Sequence, residues 1–297
     1  AYRRFQQGTI IRVGHSRMVG QISFVRLVTV AIVITVGFIV KTIPGPTLAG
    51  AAQGIGVTVG AIYAGILGRR IHPEIHSAPP VETPLTMKKF LVFYLPLAMT
   101  SALWLLWQPF ISAAISRMPN PLQSLAVWSV ISGLLFIFRS PGVAYNEVMV
   151  ALLEDFDAKP ALKKFAWDIS LGLTGVLLLF VATPLSSFWL QFIAAMPVDL
   201  IPSGRVALAL AIPLGVLSVY ISYYQGFLIQ SSVTKSVAES VVAFLIAMIG
   251  VLLVGIITKA FVGIYIASVA YTFAHLIQAA WLALRSKSLR LAEPETA

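Results

Sequence analysis

Cysteine is absent from the 297 residues, and acidic side chains number only 11. Without a thiol there is no disulfide staple, no thiolate metal site and no redox pair. Charge of either sign is also scarce. Asp, Glu, Lys and Arg together make up 11% of the chain, against about 25% in an ordinary soluble domain. Apolar residues take their place, at 58% with a mean hydropathy of +0.90, where about 45–50% is usual. One globular core cannot hide that much, so apolar side chains must also cover the outside. Soluble enzymes, disordered tails and disulfide scaffolds are excluded, and the composition predicts an all-α polytopic membrane protein.

A hydrocarbon layer of about 30 Å takes about 20 apolar helical residues to cross. Eight stretches meet that requirement: 22–40, 47–67, 90–115, 122–146, 166–190, 206–230, 237–257 and 260–284. Pro96, Pro109, Pro141, Pro184 and Pro213 fall inside them. Neighbouring helices in a bundle can satisfy the freed carbonyls, so kinks are expected rather than stops. With the N-terminus in the cytoplasm, 15 of the 21 Lys and Arg residues fall in internal loops. Only Lys41, Arg117, Arg205 and Lys259 are then external, while Arg26 and Arg139 lie within spans. The positive-inside rule favours that orientation, which predicts a multi-pass protein of the inner (plasma) membrane with both chain ends cytoplasmic. The net charge of +10 then faces anionic lipid and needs no nucleic acid.

Residues 7–70 lie over residues 225–288 with a shift of 218 and no gap. Gln7-Gly8 meets Gln225-Gly226, Val36-Gly37 meets Val254-Gly255, Lys41 meets Lys259 and Gly45 meets Gly263. The 64 positions hold 14 identities, where an alphabet this apolar gives roughly five or six by chance. Both copies run the same way across the membrane, so the repeat is parallel. The second unit is expected to begin near Thr86, 139 residues before Gln225. By symmetry, four helices are expected upstream of Gln7. The domains expected are the last two helices of a first half (1–70), a cytoplasmic linker (71–87), a complete six-helix second half (88–290) and a tail (291–297).

The turn residues carry a resemblance. Gln225-Gly226-Phe227-Leu228, Ser232-Val233-Thr234-Lys235 and Gly263, echoed by Gln7-Gly8, Ser16-Arg17 and Gly45, are similar to motifs of the MOP flippase superfamily, to which MATE-like exporters belong. Lys88-Lys89-Phe90, Leu95-Pro96-Leu97-Ala98, Gln108-Pro109-Phe110-Ile111, Ser116-Arg117 and Lys163-Lys164-Phe165 resemble the progressive-ankylosis type within it. The resemblance implies two six-helix lobes that rock about a central cavity, the last six helices here forming one complete MATE-like lobe. It also implies export of amphipathic or anionic organic solutes, such as pyrophosphate, nucleotides or citrate-like anions. Drug exporters of the superfamily often place a carboxylate deep in a lobe, but stretches 90–115 and 206–230 contain none. The coupling ion is therefore left open.

Polar groups within lipid should face protein or a watery path. Tyr94, Ser101, Gln108 and Ser112 share a narrow arc at helical spacing, as do Ser218, Ser222 and Gln225. Each stripe can line a solute path or join helices by hydrogen bonds. Arg139 can grip an anion with both guanidinium arms. Alternatively, it can snorkel to the headgroups or pair with Glu147. Asn146, seven residues on, shares its face. Four other features have simpler readings. The glycines at 50, 54, 56 and 60 fit helix packing better than a nucleotide loop, and His72-Pro-Glu-Ile-His76 fits a linker. Glu154-Asp155-Phe156-Asp157 fits a solvated acidic end, and His275 a packed imidazole.

The leading expectation is a secondary transporter, with a lipid-linked glycan flippase as the alternative and a membrane-embedded transferase as a third class. The expected partners are a small-molecule or lipid-linked solute and membrane lipids. No cofactor, metal or catalytic residue is expected.

Overall fold

The computed structural model describes residues 2–41, 43–76, 86–153 and 158–292. These residues form helices and turns, with no strand among them. Eight helical segments among them are long and apolar enough to cross a membrane. The chain is an all-α polytopic membrane protein.

Two compact units divide at Pro84 and Leu85. The first contains α1 (Tyr2–Arg12), α2 (Ser16–Val40) and α3 (Gly45–His76). Ile10, Ile22, Ala64, Leu67 and Ile71 form its buried core. The docking of Ile71 explains why α3 runs on through Pro73 to His76, six residues into the expected linker. A proline near a helix end costs one hydrogen bond but does not stop a turn already anchored by packing. The side chains of His72 and His76 and the whole Glu154–Asp157 segment lie outside the described residues.

The second unit contains α4 (Met87–Trp104), α5 (Trp107–Ile115), α6 (Pro121–Leu152), α7 (Ala158–Ala182), the short α8 (Leu185–Phe188), α9 (Ile201–Leu210), α10 (Leu214–Gln230), α11 (Thr234–Thr258) and α12 (Gly263–Ala292). A π turn (Trp189–Ile193) and a 3-10 turn (Val198–Leu200) join α8 to α9. The prolines behave in two ways. Pro96 and Pro141 stay inside α4 and α6 as expected, whereas the other three interrupt. Pro184 closes α7 eight residues short of the expected span end at residue 190. Pro109 cannot donate to the carbonyl of Leu105, and the chain tightens there through Leu105 N–H to Ala102 and Leu106 N–H to Leu103. Pro213 does the same between α9 and α10, where Ala211 N–H bonds Leu208 and Ile212 N–H bonds Ala209.

Helices α6 and α10 pack closely because small residues line their seam. Gly142 leaves no room for a Cβ beside Ser218, nor does Gly226 beside Met149. Asn146 Nδ2 donates to the Ser222 carbonyl at 3.3 Å, and Ser222 Oγ donates to the Val143 carbonyl at 3.5 Å. Small side chains let backbones approach, and the polar groups then join them across the seam.

The repeat is legible in the backbone. The 218-residue shift carries α2 (Ser16–Val40) onto α11 (Thr234–Thr258), the end of α1 at Arg12 onto the end of α10 at Gln230, and the start of α3 at Gly45 onto the start of α12 at Gly263. His15 N–H bonds the Ile10 carbonyl at 3.1 Å, and Val233 N–H bonds the Leu228 carbonyl at 2.9 Å. Lys41 and Lys259 both turn left-handed, with φ 56° and 48°, and donate to the carbonyls of Gly37 and Gly255. Leu48 fills the space over Gly37 and Ile266 that over Gly255, again 218 residues apart.

Candidate functional site

The buried polar centre of the second unit is built around Arg139 of α6, which is 8% exposed. It lies eleven residues before the end of its span at Val150, about 16 Å along the helix axis. The side chain turns inward toward α12. Its Nη1 donates to the Tyr271 hydroxyl, and its Nη2 donates to His275 Nε2 at 2.7 Å. The guanidinium carbon lies 5.3 Å from the Tyr271 ring centre, in cation–π range. Arg139 thus neither snorkels nor pairs with Glu147, which is exposed on the same helix.

The hydrogen bonds assign the imidazole's state. Arginine can only donate, so Nε2 of His275 accepts. Its Nδ1–H donates to the Tyr271 carbonyl at 2.8 Å. His275 is therefore the neutral Nδ1–H tautomer, and the arginine's partners here are both uncharged. Aromatic rings surround them. Trp107 stacks on Tyr271 at 4.8 Å, Trp104 lies 5.9 Å from His275, and Phe244 meets the imidazole edge-on at 4.8 Å. Trp128 stands 5.8 Å from Tyr271 and donates its indole N–H to Gln108 Oε1 at 3.2 Å.

Six described residues carry a buried polar atom without a hydrogen-bond partner, and two of them bear on this centre. One is Arg139 Nε, and the other is the whole amide of Gln278, both of its polar atoms included. Gln278 is fully buried one turn beyond His275, so Tyr271, His275 and Gln278 share a face of α12 at helical spacing. Buried unsatisfied polar groups are costly. A guanidinium out of water without an acid beside it costs several kcal/mol more. The arrangement favours an anion with hydrogen-bond acceptors and an apolar body for the rings to hold.

The structure distributes the remaining candidates differently from the helical stripes. The break at Leu105–Leu106 separates Tyr94 and Ser101 on α4 from Gln108 and Ser112 on α5, so the four do not line one helix. Tyr94 is exposed and stacks on Phe90 at 5.2 Å, and Ser101 is exposed. Of this set, Gln108 reaches the Arg139 centre, through Trp128, while Ser112 is half-buried on α5. Ser222 and Asn146 bond to each other's helices in the α6–α10 seam, and Gln225 is half-buried beyond them. Gly56 and Gly60 face Val30 and Arg26 of α2, whereas Gly50 and Gly54 have open space.

Tyr271, Gln278, Phe244 and the three tryptophans were not among the sequence candidates. Tyr271, His275 and Gln278 at spacings of 4 and 3 were the available signal. Among the described residues no group of three His, Asp or Glu side chains can hold a metal ion. The chain matches no protein-family model, no curated protein and no solved structure.

Proposed function

We propose that the protein is a secondary transporter of MATE-like, MOP-superfamily type, which exports amphipathic or anionic organic solutes by rocking-lobe alternating access. The observation that carries this reading is the parallel repeat, followed through helix ends, turn bonds and left-handed lysines. Transporters built from internal repeats bind their cargo near the bilayer midplane, and Arg139 lies about 16 Å along its helix from the span end. In this reading Arg139 is the anion contact, Gln278 a second polar contact, and Trp104, Trp107 and Tyr271 hold the apolar part of the cargo. Arg139 exchanges its bonds to Tyr271 and His275 for charge-assisted bonds to the solute. The membrane is the plasma membrane, with both ends of this chain cytoplasmic.

The test is solute efflux from proteoliposomes containing the protein. Arg139→Ala is expected to abolish export of an organic dianion while membrane abundance is unchanged, and Arg139→Lys to recover only part of it, because an ammonium lacks the planar fork. Undiminished export by a well-expressed Arg139→Ala protein would reduce Arg139 to a packing residue and remove the anion reading.

A further inference from the structure

Where α1 turns into α2, the first unit holds a half-open cavity of about 540 Å³ lined by Arg17, Met18, Gln21, Tyr63, Leu67 and Arg70 among others. No carboxylate is among the described residues that line it. Arg17 begins the first membrane-crossing segment (Arg17–Val40) and Arg70 lies one residue before the end of the second (Gly45–Ile71). Both guanidiniums therefore stand at one membrane–water boundary. Met18 and the buried Leu67 supply an apolar wall, and Gln21 and Tyr63 supply polar groups.

The second copy places an ion pair at the corresponding boundary. The 218-residue shift carries Gln21, Tyr63 and Leu67 onto Glu239, Trp281 and Arg285. There Arg285 donates to Glu239 at 2.7 Å, and its guanidinium carbon lies 5.3 Å from the Trp281 ring. That copy supplies its own anion. In the first copy the carboxylate position holds a neutral amide, and two arginines line an open cavity.

We propose that this cavity binds the phosphate of an anionic lipid headgroup. Arg17 and Arg70 donate to the phosphate oxygens, Gln21 and Tyr63 to the remaining acceptors, and the glycerol and first acyl carbons follow Met18 and Leu67. A soluble phosphate offers the same oxygens. The apolar wall and the place at two span ends favour the lipid, as basic pockets between membrane helices do elsewhere. The site is independent of the role given to Arg139.

Native mass spectrometry of the full chain in detergent, titrated with phosphatidylglycerol, phosphatidylcholine or inorganic phosphate, tests the proposal. The wild-type chain is expected to retain phosphatidylglycerol over phosphatidylcholine. The double variant Arg17→Gln/Arg70→Gln is expected to bind it about thirtyfold more weakly, having lost two interfacial charges. Gln21→Glu installs the second copy's carboxylate at an exposed position, so it should weaken lipid retention while thermal unfolding stays unchanged. Equal phosphatidylglycerol retention by wild type and both variants would overturn the site. Equal affinity for phosphatidylcholine would overturn its charge selectivity, and displacement by equimolar inorganic phosphate would overturn the lipid assignment.

Discussion

The stretches α1–α3 and α10–α12 share a backbone plan and differ in what they bring together inside it. In the second copy Phe244 of α11 meets Tyr271 of α12, with ring centres 6.2 Å apart. The equivalent positions in the first copy are Arg26 and Gln53, and there Arg26 Nη2 donates to Gln53 Oε1 at 3.3 Å. His275 and Gln278 correspond to Val57 and Gly60. At the membrane boundary the order reverses, for the second copy closes on a Glu239–Arg285 pair and the first leaves a basic cavity. Turns and glycines hold the plan while the seam positions vary. A duplicated scaffold can thus keep its geometry and divide its chemistry, one copy giving aromatic and imidazole partners to Arg139 of α6 and the other lining a basic cavity.

The largest effect expected from probing this comparison is at the glycines beneath Leu48 and Ile266. Gly255→Val would press on Ile266 and on Met118 in the buried core of the second unit, and overpacking of that kind costs about 3 kcal/mol. Gly37→Val meets Cγ and both Cδ atoms of Leu48 but no second residue, and this half-buried side chain can swing away, so about 1 kcal/mol is expected. Unfolding of the two variants in mixed micelles measures both, and equal costs would show that the second copy is no more tightly packed than the first.

A smaller, stabilising effect is expected from giving the first copy the second's aromatic pair. Arg26→Phe with Gln53→Tyr removes a cation from within a span and adds a ring contact of about 1 kcal/mol. Thermal unfolding reads it, and a loss of stability would mean that the two pairs do not occupy equivalent seams. The smallest effect concerns the left-handed lysines. Glycine at Lys41 or Lys259 relieves the αL strain but gives up the cation at the helix end, for a net gain of about 0.5 kcal/mol each. Matching shifts would support one shared turn, and a gain at only one position would break the equivalence there.

Much of this architecture was legible in the sequence. Mean hydropathy and run length placed the spans, and the in-register pairs Lys41/Lys259 and Gly45/Gly263 located the repeat to the residue. The helix breaks were less legible. Pro96 and Pro141 remain helical while Pro109, Pro184 and Pro213 interrupt, because the outcome depends on whether surrounding packing takes up the lost bond. The Arg139 centre was visible only in part. Arg139 drew attention as a charge within a span, but its partners come from α4, α5, α6, α11 and α12, and proximity across helices leaves no local trace. His275 read alone looked like a packed imidazole. It is packed, and it is also the acceptor that holds Arg139.

Because these residues include no cysteine, a parallel duplication across the bilayer can be read by site-specific labelling. Single cysteines introduced as Val13→Cys and Ser231→Cys mark the equivalent turns before α2 and α11, and Lys41→Cys and Lys259→Cys mark the equivalent ends of those helices. With a membrane-impermeant thiol reagent on sealed cells, the two turns are expected to react from one side and the two lysine positions from the other. Labelling of Val13→Cys and Ser231→Cys from opposite sides would contradict it.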